Sequence, residues 1–407
     1  MRKIVGYLLL FGLLFLVIFF YFVMDGEEMD EKTAENMPKK KHPISEWIDD
    51  MTLDEKIGQL MFAGIDGTMM TDETKRLIND YKVGGIILFS DNIESQEQTS
   101  ALLEEIEHEN DQNNTPLFLG VDQEGGRVVR LSEEVEKLPT AASIGEQDNL
   151  DLSFEFGELL SKQVQLYGFN LDFAPVLDVN SNPNNPVIGD RSFGTRPEIV
   201  GEHGVEVMKG IQSENVIPVI KHFPGHGDTD TDSHLELPQV NKTLQELEEL
   251  ELLPFKQAIE AGADVVMTAH ILLPEIDPDY PASISKNIIQ GVLREELAFD
   301  GVVMTDDMTM EGLTNHFDIG EAAVQSIKAG TDVILVAHNY EDIATVFNSL
   351  KGAVENGDIT EERLNESLTR ILQLKKEYHL EAEKKLDFSI ENLNSDIEEM
   401  LNAYGLR

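Results

Sequence analysis

Val216-Ile217-Pro218-Val219-Ile220-Lys221-His222-Phe223-Pro224-Gly225-His226-Gly227-Asp228-Thr229-Asp230-Thr231-Asp232-Ser233-His234 carries a β-branched apolar run straight into a loop dense in titratable groups. The run reads as a buried strand, and the proline and glycines after it read as a loop. Lys221 to His234 holds three histidines and three aspartates beside the lysine. Packing gives no reason for ionisable groups at the exit of a buried strand. An active site on a loop held by a rigid scaffold does.

The same pattern recurs outward along the chain. Apolar runs fall at Leu60 to Ile65, Val83 to Phe89, Leu117 to Asp122, Leu171 to Asp178, Val216 to Phe223, Val265 to Ile271, Val302 to Asp306, and Val333 to Ala337. Several are almost continuously apolar, as strands of a parallel sheet covered on both faces are. Helical spacing lies between many of them. Leu53, Ile57 and Leu60 follow a capping box of Thr52 and Glu55. Leu102, Leu103 and Ile106 share one face, and so do Leu364, Leu368, Ile371 and Leu372 behind Asp358 and Thr360. Eight such alternations predict an α/β fold, a (β/α)8 TIM-like barrel forming a single catalytic domain over residues 43–385. An open doubly wound sheet is the competing arrangement, but it gathers its site at one switch point. Here Asp122, Asp178, His222, His270 and Asp306 end different strands. Asn180 to Pro186 reads as a long loop, and residues 386–407 as a C-terminal helical tail with Leu393, Ile397, Met400 and Leu401 on its apolar face.

The chain has 407 residues, of which 41% are hydrophobic, enough to bury a large core. It has no cysteine, so disulfides, thiolate metal ligands and a lipid-modified cysteine are excluded. With 77 acidic and 31 basic residues the formal charge is -46, which repels phosphate backbones and argues against nucleic acid as a partner. Solubility accounts for such a surface, and adaptation to salty surroundings is the sharper reading. The amino terminus differs in kind. Arg2 and Lys3 precede an apolar stretch from Ile4 to Met24, long enough for a membrane span and followed by no small-residue cleavage site. Residues 1–24 are therefore expected to be an uncleaved transmembrane anchor and 25–42 a polar linker. The positive flank places the N-terminus in the cytoplasm and the catalytic domain outside a single-pass cell membrane.

Four segments carry a family resemblance over roughly residues 44–385. They are Val121-Asp122-Gln123-Glu124-Gly125-Gly126-Arg127-Val128-Val129-Arg130, Asp190-Arg191-Ser192-Phe193-Gly194, the Lys221 to His234 stretch, and Thr305-Asp306-Asp307-Met308. With these the chain resembles family 3 glycoside hydrolases, and among them the bacterial β-N-acetylglucosaminidases (β-N-acetylhexosaminidases). Cleaving a glycosidic bond with retention needs a carboxylate under the sugar and an acid for the leaving oxygen. Asp306 ends an apolar strand and suits the first task, and the resemblance implies it as nucleophile. Asp307 is its rival, although neighbouring residues on a strand face opposite ways, and Asp307 also suits a helix cap. The resemblance implies His234 as acid/base, oriented by Asp232. The residues themselves allow that dyad, since histidine titrates near neutrality and a carboxylate favours its charged form. They equally allow a loop held by Asx turns.

The matching positions imply Asp122, Arg130, Arg191, Lys221 and His222 as binding residues for the terminal sugar, with Gly125-Gly126 permitting close backbone approach. Arg127 is expected to brace its loop through an ion pair, His226 to steady the loop, and Asp178 and His270 to line the pocket or to support it. The histidines and aspartates of one loop resemble a metal site in composition, but Pro224, Gly225 and Gly227 remove the helical spacing that zinc sites often use. No metal and no cofactor are expected. The function expected is exo-acting β-N-acetylglucosaminidase on peptidoglycan-type glycans. Phosphorolysis of N-acetylglucosaminides and another family 3 β-glycosidase activity are the nearer alternatives, and a non-catalytic barrel that binds cell-wall glycan is the alternative of another class.

Overall fold

Eight parallel strands form one sheet in the computed structural model, which describes residues 43–229, 237–381 and 388–407. They are β1 (Met61–Gly64), β2 (Gly85–Leu88), β3 (Phe118–Val121), β4 (Leu171–Asp172), β5 (Ile217–Phe223), β6 (Val265–Thr268), β7 (Val302–Thr305) and β8 (Ile334–Val336). Their order is β7-β6-β5-β4-β3-β2-β1-β8. An isolated parallel bridge between Met304 and Val333 joins the two outer strands, so the sheet closes on itself into a (β/α)8 barrel. The open sheet is thereby excluded. Every strand residue is buried, which is why the runs show little polar alternation. The chain divides into two units, Met1–Glu46 and Trp47–Arg407, and all eight strands lie in the second.

The fourth strand is shorter than its apolar run. Regular pairing stops at Asp172 rather than at Asp178. Pro175 has no N–H to give to a ladder, so the segment stays beside β5 through single bonds. Val219 N donates to Ala174 O (3.0 Å), Lys221 N to Pro175 O (3.2 Å) and Leu177 N to Lys221 O (2.7 Å). That irregular edge aims Asp178 at the exit of β5.

Helices form where periodicity and caps place them. Thr52 and Glu55 make the capping box of Leu53–Gln59, and Thr360 caps Glu361–Glu377. Leu102, Leu103 and Ile106 are the buried face of Gln96–Asn110. Helices Leu150–Tyr167 and Pro197–Ser213 cross closely because both offer glycine. A Cβ on Gly157 would stand 2.3 Å from Val207 O, and one on Gly210 would stand 2.2 Å from Phe154 O. The tail is a helix, Ile390–Tyr404, with Leu393, Ile397, Met400 and Leu401 buried and Asn394 bonded to Glu134 O and Glu136 N. The anchor expected over residues 1–24 and the linker over 25–42 lie outside the described residues. Among the described residues no helix is long and apolar enough to cross a membrane.

Two buried polar clusters secure the end of the barrel opposite the site. Asp332, just before β8, accepts Val303 N (3.0 Å) and Ser367 Oγ (2.7 Å) and pairs with Arg294 (2.6 Å), Arg363 (3.1 Å) and Arg370 (3.1 Å). Burial alone would raise its pKa, and the three guanidiniums outweigh burial and hold it down. Lys375 closes the floor, donating to Gln59 Oε1 (2.7 Å), Gly84 O (2.8 Å) and Pro116 O (2.6 Å).

Candidate active site

The C-terminal ends of the strands open into a cavity of about 440 Å³. It receives Ile87 of β2 and Phe89 just after it, Asp122 and Glu124 following β3, Lys221 and His222 of β5, Met267 of β6, Asp306 and Asp307 following β7, and Leu335 of β8 with His338 beyond it. Arg130 and Arg191 enter from the loops after β3 and β4. Six residues singled out in the sequence (Asp122, Arg130, Arg191, Lys221, His222 and Asp306) thus line one space. Asp232 and His234 lie outside the described residues.

The charged wall is built on β3 and β5. Gln123, buried, fixes the turn that follows β3. Its backbone N–H donates to Asp172 Oδ1 (3.0 Å), its side-chain N–H to Gln163 Oε1 (2.9 Å), and its Oε1 accepts Arg130 N (3.1 Å). Asp122 and Glu124, two positions apart, then both face the cavity. Lys221 Nζ reaches both, at 2.7 Å from Asp122 Oδ1 and 2.6 Å from Glu124 Oε1. Arg191 clamps Glu124 with two bonds, Nε to Oε2 at 2.8 Å and Nη2 to Oε1 at 2.7 Å. Arg130 Nη2 stands 3.6 Å from Asp122 Oδ2. Burial would raise the Glu124 carboxyl, but Lys221 and Arg191 hold it far below the usual carboxylate range. Burial would lower Lys221, but Asp122 and Glu124 raise it. Glu124 and Lys221 are therefore charged at neutral pH and, with Asp122 and Arg191, form a preorganised set of donors and acceptors facing the cavity.

His222 is oriented from behind. Its Nδ1 lies 2.7 Å from Asp178 Oδ2, and Asp178 Oδ1 accepts the His222 and His226 backbone N–H groups at 3.3 and 2.6 Å. Burial would raise Asp178, and His222 keeps it lowered. On the other side of the ring, Nε2 stands 3.5 Å from Arg191 Nη2. Asp178 supports the site without lining it, and so does His270. The His270 Nε2–H donates to Asp307 O (3.0 Å) while Nδ1 meets Ser283 Oγ at 2.6 Å. His226 lines the cavity and also holds its loop through Thr229 Oγ1 (2.8 Å). Arg127 pairs with Asp190 at 3.0 Å and bonds Ile188 O at 2.9 Å, tying two loops together.

The two neighbouring aspartates are engaged differently. Asp307 Oδ1 accepts Ala337 N (2.9 Å) and Thr309 N (3.0 Å), and Oδ2 accepts Thr309 Oγ1 (2.6 Å). It fastens the end of β7 to the end of β8 and does not cap a helix, since the next helix, Glu311–Thr314, follows Met310. Asp306 N donates to Thr268 O (2.9 Å), and Asp306 Oδ1 accepts Asp307 N (2.8 Å).

Glu124 escaped the sequence reading although it stands inside a quoted segment. Its signal was its position two residues after Asp122, on the same side of the strand exit. Phe89 carried no polar signal, whereas His338 directly follows the apolar run Val333 to Ala337 and had the same signal as the other strand-end residues. Among the described residues no group of three or more His, Cys, Asp or Glu side chains is placed to hold a metal ion.

A closed parallel barrel whose strand ends converge on a charged cavity has its candidate site where barrel enzymes hold theirs. The chain matches the model of the glycosyl hydrolase family 3 N terminal domain over residues 52–374 and belongs to that family. It is a glycoside hydrolase. It is 34% identical over 333 residues to beta-hexosaminidase A of Pseudoalteromonas piscicida, covering 76% of this chain and 56% of that protein. It is 35% identical over 327 residues to the beta-hexosaminidase of Nitrosomonas eutropha, covering 78% of this chain and 92% of the relative. Among solved structures, the family 3 beta-N-acetylglucosaminidase from Paenibacillus superposes with a TM-score of 0.83 at 40% identity, over 86% of this chain and 68% of that one.

Proposed function

We propose that the protein is a retaining, exo-acting β-N-acetylglucosaminidase. The observation that carries this reading is the convergence of Asp306 with Asp122, Arg130, Arg191, Lys221 and His222 on one cavity. The charged wall grips the hydroxyls of a terminal N-acetylglucosamine. Asp306 attacks the anomeric carbon from below while the glycosidic C–O bond breaks and the leaving oxygen takes a proton from His234. His234 then removes a proton from water, which displaces Asp306 and restores the β-configuration. Asp232 orients His234. Support for Asp306 over Asp307 is the structural use of both Asp307 oxygens; support for the His234–Asp232 dyad is the sequence resemblance and the relatives' names. Peptidoglycan-type glycan outside the cell is the substrate we favour, on the strength of the apolar, positively flanked run from Ile4 to Met24.

The test is turnover of a chromogenic N-acetylglucosaminide by the full chain in detergent, beside Asp306→Ala and His234→Ala. The parent turns the substrate over, Asp306→Ala does not, and His234→Ala costs ~10²–10⁴-fold, the range of a general acid–base group. Equal rates for parent and Asp306→Ala contradict the reading.

A further inference from the structure

The two sides of the cavity differ in chemistry. The β3–β5 side is charged and deep, with the side chains of Lys221 and Glu124 only 2% and 6% exposed. The β8–β2 side is apolar below, where Ile87 and Leu335 are buried, and aromatic at its mouth. There the rings of Phe89 and His338 lie 5.0 Å apart between centroids and tilted by 31°. The His338 side chain is 63% exposed, and Phe89 is half-buried. His338 Nε2 stands 3.8 Å from Asp307 Oδ2, so the pair flanks the strand end that also carries Asp306.

We propose that Phe89 and His338 form the subsite for the leaving group, a platform for the pyranose ring bonded to the anomeric carbon. The inference rests on the glycosidase reading above. A terminal sugar held by the deep charged wall points its anomeric carbon toward Asp306, and the group bonded there leaves through the open mouth. At 5.0 Å the two rings back one another, and the more exposed His338 ring, supported by Phe89, offers a flat face beside that mouth. Such faces gain when they cover the C–H face of a sugar. The substrate class that follows is a glycan with a ring sugar next to the scissile bond, in preference to a glycoside with a small leaving group.

The experiment compares two substrates on the full chain and on Phe89→Ala, His338→Ala and His338→Phe. One is N,N′-diacetylchitobiose, whose leaving group is a pyranose. The other is N-acetyl-β-glucosaminyl fluoride, whose leaving group is too small to reach the rings. The platform predicts a loss on the order of tenfold in kcat/KM on the disaccharide for each alanine variant, the scale of one lost aromatic contact. On the fluoride it predicts a change within about twofold, and His338→Phe keeps disaccharide activity because it keeps a flat ring. Equal losses on both substrates, or no loss on the disaccharide, overturn the subsite and leave the glycosidase reading intact. Failure of the parent on both substrates overturns that reading and the subsite with it.

Discussion

Replacing Lys221 by methionine is the sharpest perturbation of the charged wall. The Lys221 side chain is 2% exposed and makes two short bonds to carboxylates, at 2.7 Å to Asp122 and 2.6 Å to Glu124. Methionine keeps most of the apolar stem and removes the charge, leaving two anions to Arg191 and the more distant Arg130. Breaking a buried ion pair from one side costs ~3–5 kcal/mol, because the partner stays behind uncompensated. Glu124→Gln leaves the opposite imbalance, with Lys221 and Arg191 sharing fewer acceptors. The double variant removes one charge of each sign, so its loss falls short of the sum by up to ~3 kcal/mol. Urea unfolding followed by circular dichroism measures all three. Glu124 is held low, so its contribution is present above the ordinary glutamate range and is lost as pH falls through its folded value. Lys221 is held high, so its contribution is present below the ordinary lysine range and is lost as pH rises through its folded value. The coupling is therefore flat across neutral pH. A Lys221→Met loss below ~1 kcal/mol, or a double variant additive within ~0.5 kcal/mol, refutes the network.

Asp172 is fully buried beside this wall, its Oδ2 has no hydrogen-bond partner, and burial raises its pKa well above the usual range. Its stabilising contribution is present below the ordinary aspartate range and is lost as pH rises through the folded value. Asp172→Asn is thus expected to match or exceed the parent's melting temperature at pH 7 and to flatten its decline with pH; a loss on the scale of other buried polar deletions, ~1–3 kcal/mol, counts against this. At the far end, Asp332→Asn leaves Arg294, Arg363 and Arg370 without their shared anion and is expected to cost ~3–5 kcal/mol in urea unfolding, whereas a loss near zero shows that the β7–β8 seam does not depend on it.

The barrel was legible because each strand is buried on both faces and so wrote a continuous apolar run, as Val216 to Ile220 shows. The fourth strand was over-read because Leu171 to Asp178 is just as apolar, while the missing N–H of Pro175 acts only through a ladder that sequence does not display. Within the site, Asp122, Lys221, His222 and Asp306 were visible because a charge at the end of an apolar run has no packing explanation. The support given by Asp178 and His270 was left open, since both also end strands and only the direction of each side chain decides whether it meets the cavity. Glu124 was masked by its neighbours: Asp122-Gln123-Glu124 sets three polar residues together, and only the two-residue spacing from Asp122 tells that Glu124 turns to the same side.

In the proposed reaction Asp306 bonds to the sugar. A slow-turnover 5-fluoro N-acetylglucosaminyl fluoride, incubated with the full chain and followed by proteolysis and peptide mass mapping, tests it directly. A covalent adduct on Asp306 is expected. An adduct on Asp307, on any other side chain, or turnover without an adduct contradicts it.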